Sequence, residues 1–148
     1  MKRLFYLLAA AAFTACGSAT TLSVMTFNMR YDNPEDGADN WRFRRGRVAE
    51  VIASHGVDVF GTQELLANQL GDLKRLLPGY AAVGVGREDG AEAGEFSAVF
   101  YRRDRFTPLE SGTFWLSETP DVAGSKGWDG ACERVATWVV LHLPLIHI

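Results

Sequence analysis

The chain has 148 residues, 47% of them hydrophobic, and a formal net charge of −3, which suits one modest domain with its own core. An acidic balance is a poor match for a tight, nonspecific nucleic-acid binder, which draws most of its affinity from phosphate contacts; it leaves room for a nuclease that turns over quickly. No internal repeat, low-complexity linker or composition shift marks a second domain.

Residues 1–15 read as an export leader. Lys2 and Arg3 precede an apolar and small run from Leu4 to Ala15, too short to span a membrane. Phe13-Thr14-Ala15-Cys16 looks like a lipobox, with Cys16 lipidated as the new N-terminus, although Phe13 stands where leucine is favoured. Cleavage after Ala19 is the competing reading. One acyl chain holds a membrane only marginally, so a firm lipid anchor at Cys16 would need several. The expected location is the cell envelope, as an outer-membrane lipoprotein, or the periplasm or exterior. Without residues 1–15 the chain keeps 13 basic and 18 acidic side chains, a charge of −5, and Cys132 is the only cysteine besides Cys16, so no intrachain disulfide is expected. The folded part is expected over residues 21–141.

Thr21–Phe27 is strand-like and ends in Asn28. Asp32–Asn40 is an acidic loop rich in turn formers, either a solvated surface or a rim that shapes access to a site. Arg42, Arg44, Arg45 and Arg47 follow, interleaved with Trp41 and Phe43; this can read as a nucleic-acid face, but a wet helix start beside an acidic loop is favoured. Val48, Val51, Ile52 and His55 mark one helix face, ended by Gly56, with His55 expected as a core histidine. Val57–Thr62 reads as a buried strand that delivers Glu64 to the start of the next helix. Leu66, Leu70, Leu73 and Leu77 mark that helix, stopped by Pro78-Gly79. Strands are expected near Tyr80–Val85, Glu95–Arg102, Thr113–Leu116 and Arg134–Val140, so the order β-α-β-α then mostly β predicts a layered α/β sandwich. The glycine-rich segment Gly84–Gly90 opens no helix, which argues against a phosphate cradle. Gly124–Asp129 is a further loop, where Lys126 or Trp128 would be placed to touch a substrate. The end, Val139–Ile148, carries no charge and places Pro144 where a strand would run; residues 142–148 are read as a tail foreign to the fold. The odd spacing of His142 and His147 puts them on opposite strand faces, against joint metal binding.

Strand-ending Asn28 and strand-ending Glu64, 36 residues apart, are candidate oxygen ligands for one hard divalent cation such as Mg2+, which takes few carboxylate or amide oxygens and keeps waters. The plainer reading is that Glu64 opens the helix after it and Asn28 turns the chain.

The segments Met25–Arg30, Gly61-Thr62-Gln63-Glu64, Gly94–Tyr101, Ser111–Ser117 and Arg134–Trp138 occur in the order and rough spacing of a known family. From about Leu22 to about Val140 the chain resembles the endonuclease/exonuclease/phosphatase family, of the deoxyribonuclease I-like fold, and above all its secreted bacterial branch. The resemblance implies a truncated sandwich of that type and a Mg2+-dependent (or Mn2+-dependent) phosphoric ester hydrolase. Glu64 would be the metal ligand, Asn28 would assist it directly or through a water, and Arg134 would contact the scissile phosphate. The plainer role of Arg134 is a surface ion pair with Glu133 or Glu118. The family's substrates range over nucleic acids, nucleotides, phosphoinositides and sphingomyelin, so the expected partner is a phosphate ester: nucleic acid, nucleotide, or a phospholipid or sugar phosphate head group; a monomer is expected. Its remaining catalytic parts, a His with a nearby Asp, a Gly-Asp-x-Asn segment and a final Asp-His pair, have no counterpart in this sequence. The expectation is therefore an N-terminal half, inactive alone, poorly folded and with exposed apolar faces. The alternative is a non-catalytic cell-surface binding protein that kept the fold.

Overall fold

Alternation of Met25 and Phe27 with Val24, Thr26 and Asn28 gives the first strand, β1 (Val24–Asn28), one covered and one open face. The computed structural model describes residues 21–144; the expected leader at residues 1–15, Cys16 and the tail beyond Pro144, with His147, lie outside them. A helix, α1 (Trp41–Ser54), connects β1 to β2 (Val59–Gln63), and the two strands pair in parallel, as a helical crossover requires. A second helix, α2 (Ala67–Leu76), leads to β3 (Tyr80–Val83) and β4 (Val99–Arg102). The four strands form one sheet in the order β1-β2-β4-β3, antiparallel except for its first pair.

Both helices bury their apolar stripes on one face of this sheet. Trp41, Ile52 and Leu73 meet Phe60, Phe100 and Ala98 there, and the Phe60 and Phe100 rings stack at 4.5 Å with Tyr80 edge-on to Phe60 at 5.4 Å. Two acids lie inside. Asp58 accepts from the Ser23 amide (2.9 Å) and pairs with Arg105 (2.5 Å); Asp72 accepts from the Trp41 indole (2.8 Å) and from Arg45 (3.0 Å). A second sheet is an antiparallel hairpin of β5 (Thr107–Trp115) and β6 (Val135–His142), with an irregularity between Pro108 and Glu110. It touches β3 and β4 through β6, and Leu109, Phe114, Trp138 and Val140 stay exposed on it.

The expected elements are all present, with shifted ends. β4 starts only at Val99, because Phe96 makes isolated bridges to Leu65 and Gly86 instead of continuing the ladder. β5 starts six residues earlier than expected, at Thr107, with Pro108 near the strand start where a missing donor is tolerated. β6 runs through His142, and Pro144 lies beyond its end. The acidic loop holds a short 3-10 helix, Pro34–Asp39, capped by the Asn33 side chain. His55 is a correction: it is exposed, not core. It is the C-cap of α1, its imidazole bent back to the Val51 carbonyl (2.8 Å), with Gly56 following at φ 57°.

Candidate active site at the end of the parallel strands

Parallel pairing brings the C-terminal ends of β1 and β2 to the same edge, with Asn28 opposite Gln63. Glu64 comes next. Its φ of 56° reverses the chain, so that Leu65 turns inward to full burial and α2 begins two residues later. A left-handed non-glycine residue costs about 1–2 kcal/mol, and such strain collects where a side chain must be aimed. Arg30, on the turn leaving β1, shares that conformation at φ 51°.

The two candidate ligands meet. Asn28 Nδ2 donates to Glu64 Oε1 at 3.0 Å, and the Tyr31 amide reaches Glu64 Oε2 at 3.4 Å. Asn28 Oδ1 accepts from the Arg30 amide at 2.8 Å, which fixes which end of the amide faces Glu64. Asn28 thus presents N–H to the carboxylate, and one lone pair of its oxygen is engaged by the Arg30 amide. Glu64 is half-buried, receives neutral donors only, and makes no ion pair among the described residues. A carboxylate so oriented and left without a cation fits one ligand position of a hard divalent ion. No group of three or more His, Cys, Asp or Glu side chains able to hold a metal occurs among the described residues.

The turn between β1 and the 3-10 helix is held from behind by two side chains, Gln69 and Arg44, neither of which the sequence marks for this task. Gln69 is fully buried: its Oε1 accepts from the amides of Leu66 (2.9 Å) and Asp32 (3.2 Å), and its Nε2 donates to the Arg30 carbonyl (3.0 Å). Its place at the third position of α2, reaching back to the residue before the helix, is half of a capping box, and this was the available signal. Arg44 donates to the carbonyls of Met29, Arg30 and Asp39. Burial is the main influence on its guanidinium and lowers its pKa, against the raising effect of Asp36 and Asp32. Arg45 pairs with Asp72, whereas Arg42 and Arg47 are exposed on the helix, so the run is partly solvated, as favoured, and partly structural.

Arg30 itself forms a bidentate pair with Asp36, at 2.9 and 3.1 Å. This hydrogen bond is the main reason its pKa is raised; burial opposes it, and Glu64 adds a smaller raising effect.

Arg134 immediately precedes β6. Its carbonyl accepts from the Leu116 amide (2.8 Å), and its exposed side chain makes no ion pair among the described residues, with Glu133 or with Glu118. Glu118 instead accepts from the Trp128 amide (3.4 Å). No hydrogen bond links Arg134 to the Asn28–Glu64 pair, and the two are joined only through a relay of intervening contacts. Phe96 ties Leu65 to Gly86, and the turn after β3 meets the end of β5 where Trp115 Nε1 donates to the Arg87 carbonyl (2.6 Å). Trp128 is exposed, with φ 50° at it and 58° at Asp129.

A family model described as the Endonuclease/Exonuclease/phosphatase family matches residues 25–145. The chain belongs to that family. Among solved structures, a family protein from Bacteroides vulgatus is 50% identical over 80% of this chain and 45% of its own, with a TM-score of 0.79. A family protein from Bacteroides thetaiotaomicron is 48% identical over 84% of this chain and 46% of its own, with a TM-score of 0.81. A mannosyl-6-phosphatase from Bacteroides thetaiotaomicron VPI-5482 is 47% identical over 83% of this chain and 46% of its own, with a TM-score of 0.81. The chain therefore spans a little under half the length of these endonuclease/exonuclease/phosphatase structures. No curated protein sequence matches it. The α/β architecture and the family expected from the sequence are both shown.

Proposed function

We propose that this chain builds part of a metal-dependent phosphoric ester hydrolase. The observation that carries the reading is Glu64: a half-buried carboxylate, aimed by a left-handed backbone and by the Asn28 amide, with Arg30 near enough to feel its charge but no ion pair made to it among the described residues. Glu64 would hold Mg2+ or Mn2+, with Asn28 fixing the carboxylate's orientation or binding through a water. Such an ion, when bound, neutralises charge on phosphoryl oxygens and orients the attacking water. Arg134 would grip the phosphate, where a guanidinium offers two parallel donors that lysine lacks. Its exposed side chain, without an ion pair among the described residues, supports that role. A mannosyl-6-phosphatase among the similar structures supports phosphate esters as the substrate kind. The leader at residues 1–15 supports export, and Cys16 a lipid anchor.

The test is hydrolysis of p-nitrophenyl phosphate and bis-p-nitrophenyl phosphate by the full-length protein, with and without EDTA. EDTA is expected to abolish release and Glu64→Gln to cut kcat by about 10²–10³-fold, the scale of removing one group that stabilises transition-state charge. Full activity in Glu64→Gln would overturn the metal assignment.

A further inference from the structure

A cleft of about 540 Å3 opens beside the candidate site, lined by Arg30, Asp36, Asp39 and Arg44. It begins two residues from Asn28: the Arg30 amide bonds the Asn28 oxygen, and the next amide, of Tyr31, reaches Glu64. The wall is built rather than loose. Arg30 carries the left-handed backbone, and its carbonyl is held by Gln69 (3.0 Å) and by Arg44. Asp36 uses one lone pair of each oxygen on Arg30, and the Arg30 Nη1 donors make no hydrogen bond among the described residues. The Asp39 carboxylate is exposed and accepts no hydrogen bond among them either.

Two arginines and two aspartates give the cleft no net charge, so nothing in it favours a polyanion, whose binding rests on uncompensated Lys and Arg. What the cleft leaves free, the Arg30 Nη1 donors and the Asp39 carboxylate, instead matches hydroxyl groups, each of which donates once and accepts once or twice. From this placement we infer that the Arg30–Asp36–Asp39 cleft binds the alcohol portion of the substrate, a neutral, hydroxyl-rich group such as a sugar, while the phosphate lies toward Glu64. The inference rests on the phosphoester hydrolase reading and narrows its substrate class. Asp36 serves to hold the Arg30 fork; Arg30 and Asp39 make the contacts.

The experiment compares kcat/KM for mannose 6-phosphate and p-nitrophenyl phosphate in the full-length protein and in Arg30→Lys and Asp39→Asn. Saturation-transfer NMR with methyl α-mannoside, which has no phosphate, provides a second readout. The ratio of sugar ester to aryl ester is expected to fall at least about tenfold in each variant, chiefly through KM, and the glycoside signal to weaken. Should Arg30→Lys fail to fold, Asp39→Asn, whose carboxylate props nothing, decides alone. An equal fall for both esters, an unchanged ratio, or a stronger response with a single-stranded oligonucleotide would overturn the inference. If the wild-type protein hydrolyses no phosphate ester, the hydrolase reading falls by itself. The glycoside then judges the cleft: binding lost in Asp39→Asn upholds it, and binding absent or unaffected removes it.

Discussion

At the scale of single residues, the site depends on an amide that touches no substrate. Gln69 saturates two buried N–H groups and one carbonyl across the junction of the β1 turn with α2. Gln69→Leu keeps the volume and removes all three bonds, at about 1–3 kcal/mol for each polar group left unmet. Urea denaturation is expected to show a loss near the upper part of that range, with a lower midpoint and unchanged slope; a loss below about 0.5 kcal/mol would mean the turn finds other partners. The pairing of Asn28 with Glu64 was legible in the sequence, since each ends an apolar strand-like run. Gln69 was legible only as a residue able to cap α2, because the Leu66, Leu70, Leu73 spacing accounts for the buried face of α2 without it. Its partners, Arg30 and Asp32, come from 37 to 39 residues away. Arg44 was opaque for the same reason: three carbonyls brought together by the turn give it a buried task that a run of arginines does not announce.

Among the elements, the turn after β3 joins the two sheets' ends and is closed on itself. The Gly86 amide donates to the Ala91 carbonyl (3.0 Å), Glu88 to Ala93 (3.1 Å) and Arg87 to Glu95 (3.1 Å), while Asp89 accepts from the Ala91 and Ala93 amides. These N–H groups are consumed internally, in keeping with the view that the glycine-rich segment cradles no phosphate. Gly86 is required by space, since a Cβ there would overlap the Ala93 carbonyl. Gly86→Ala is expected to cost about 1–3 kcal/mol, the usual scale of overpacking. It should also speed hydrogen exchange at the Phe96 amide, which bonds Leu65 across the same junction (2.7 Å). Unchanged exchange there would show that the turn and the site end are uncoupled. Helix and strand order was readable from hydrophobic spacing. The early start of β5 was not, because Thr107–Glu110 is exposed and shows no apolar alternation to betray it.

For the molecule as a whole, acid is the expected weak point. At Asp58 and Asp72 burial is the largest influence and raises the pKa. It is outweighed at Asp58 by the Ser23 amide and Arg105, and at Asp72 by Arg45 and the Trp41 indole, so both end below the ordinary 3.8. A carboxyl depressed in the fold contributes stability that is complete above its unfolded value and is lost as pH falls through the folded one. Circular dichroism is therefore expected to hold steady down to about pH 4 and to decline below it. Asp58→Asn should flatten that decline while lowering stability at neutral pH; an identical acid profile would contradict the assignment. The layered α/β class was legible because β-α-β-α spacing admits few arrangements, whereas the docking of the β5–β6 hairpin depends on contacts no local pattern encodes. There is a last consequence in the place of β1. It has a single neighbour, β2, among the described strands, and its final residue is the one that steadies Glu64. Edge segments open before the centre of a sheet, so the Met25 and Phe27 amides should exchange ahead of those of Phe60 and Phe100. On warming, the grip on Glu64 would then slacken while the helices and inner strands still stand, and the site would come apart over a range of temperature in which the fold looks whole.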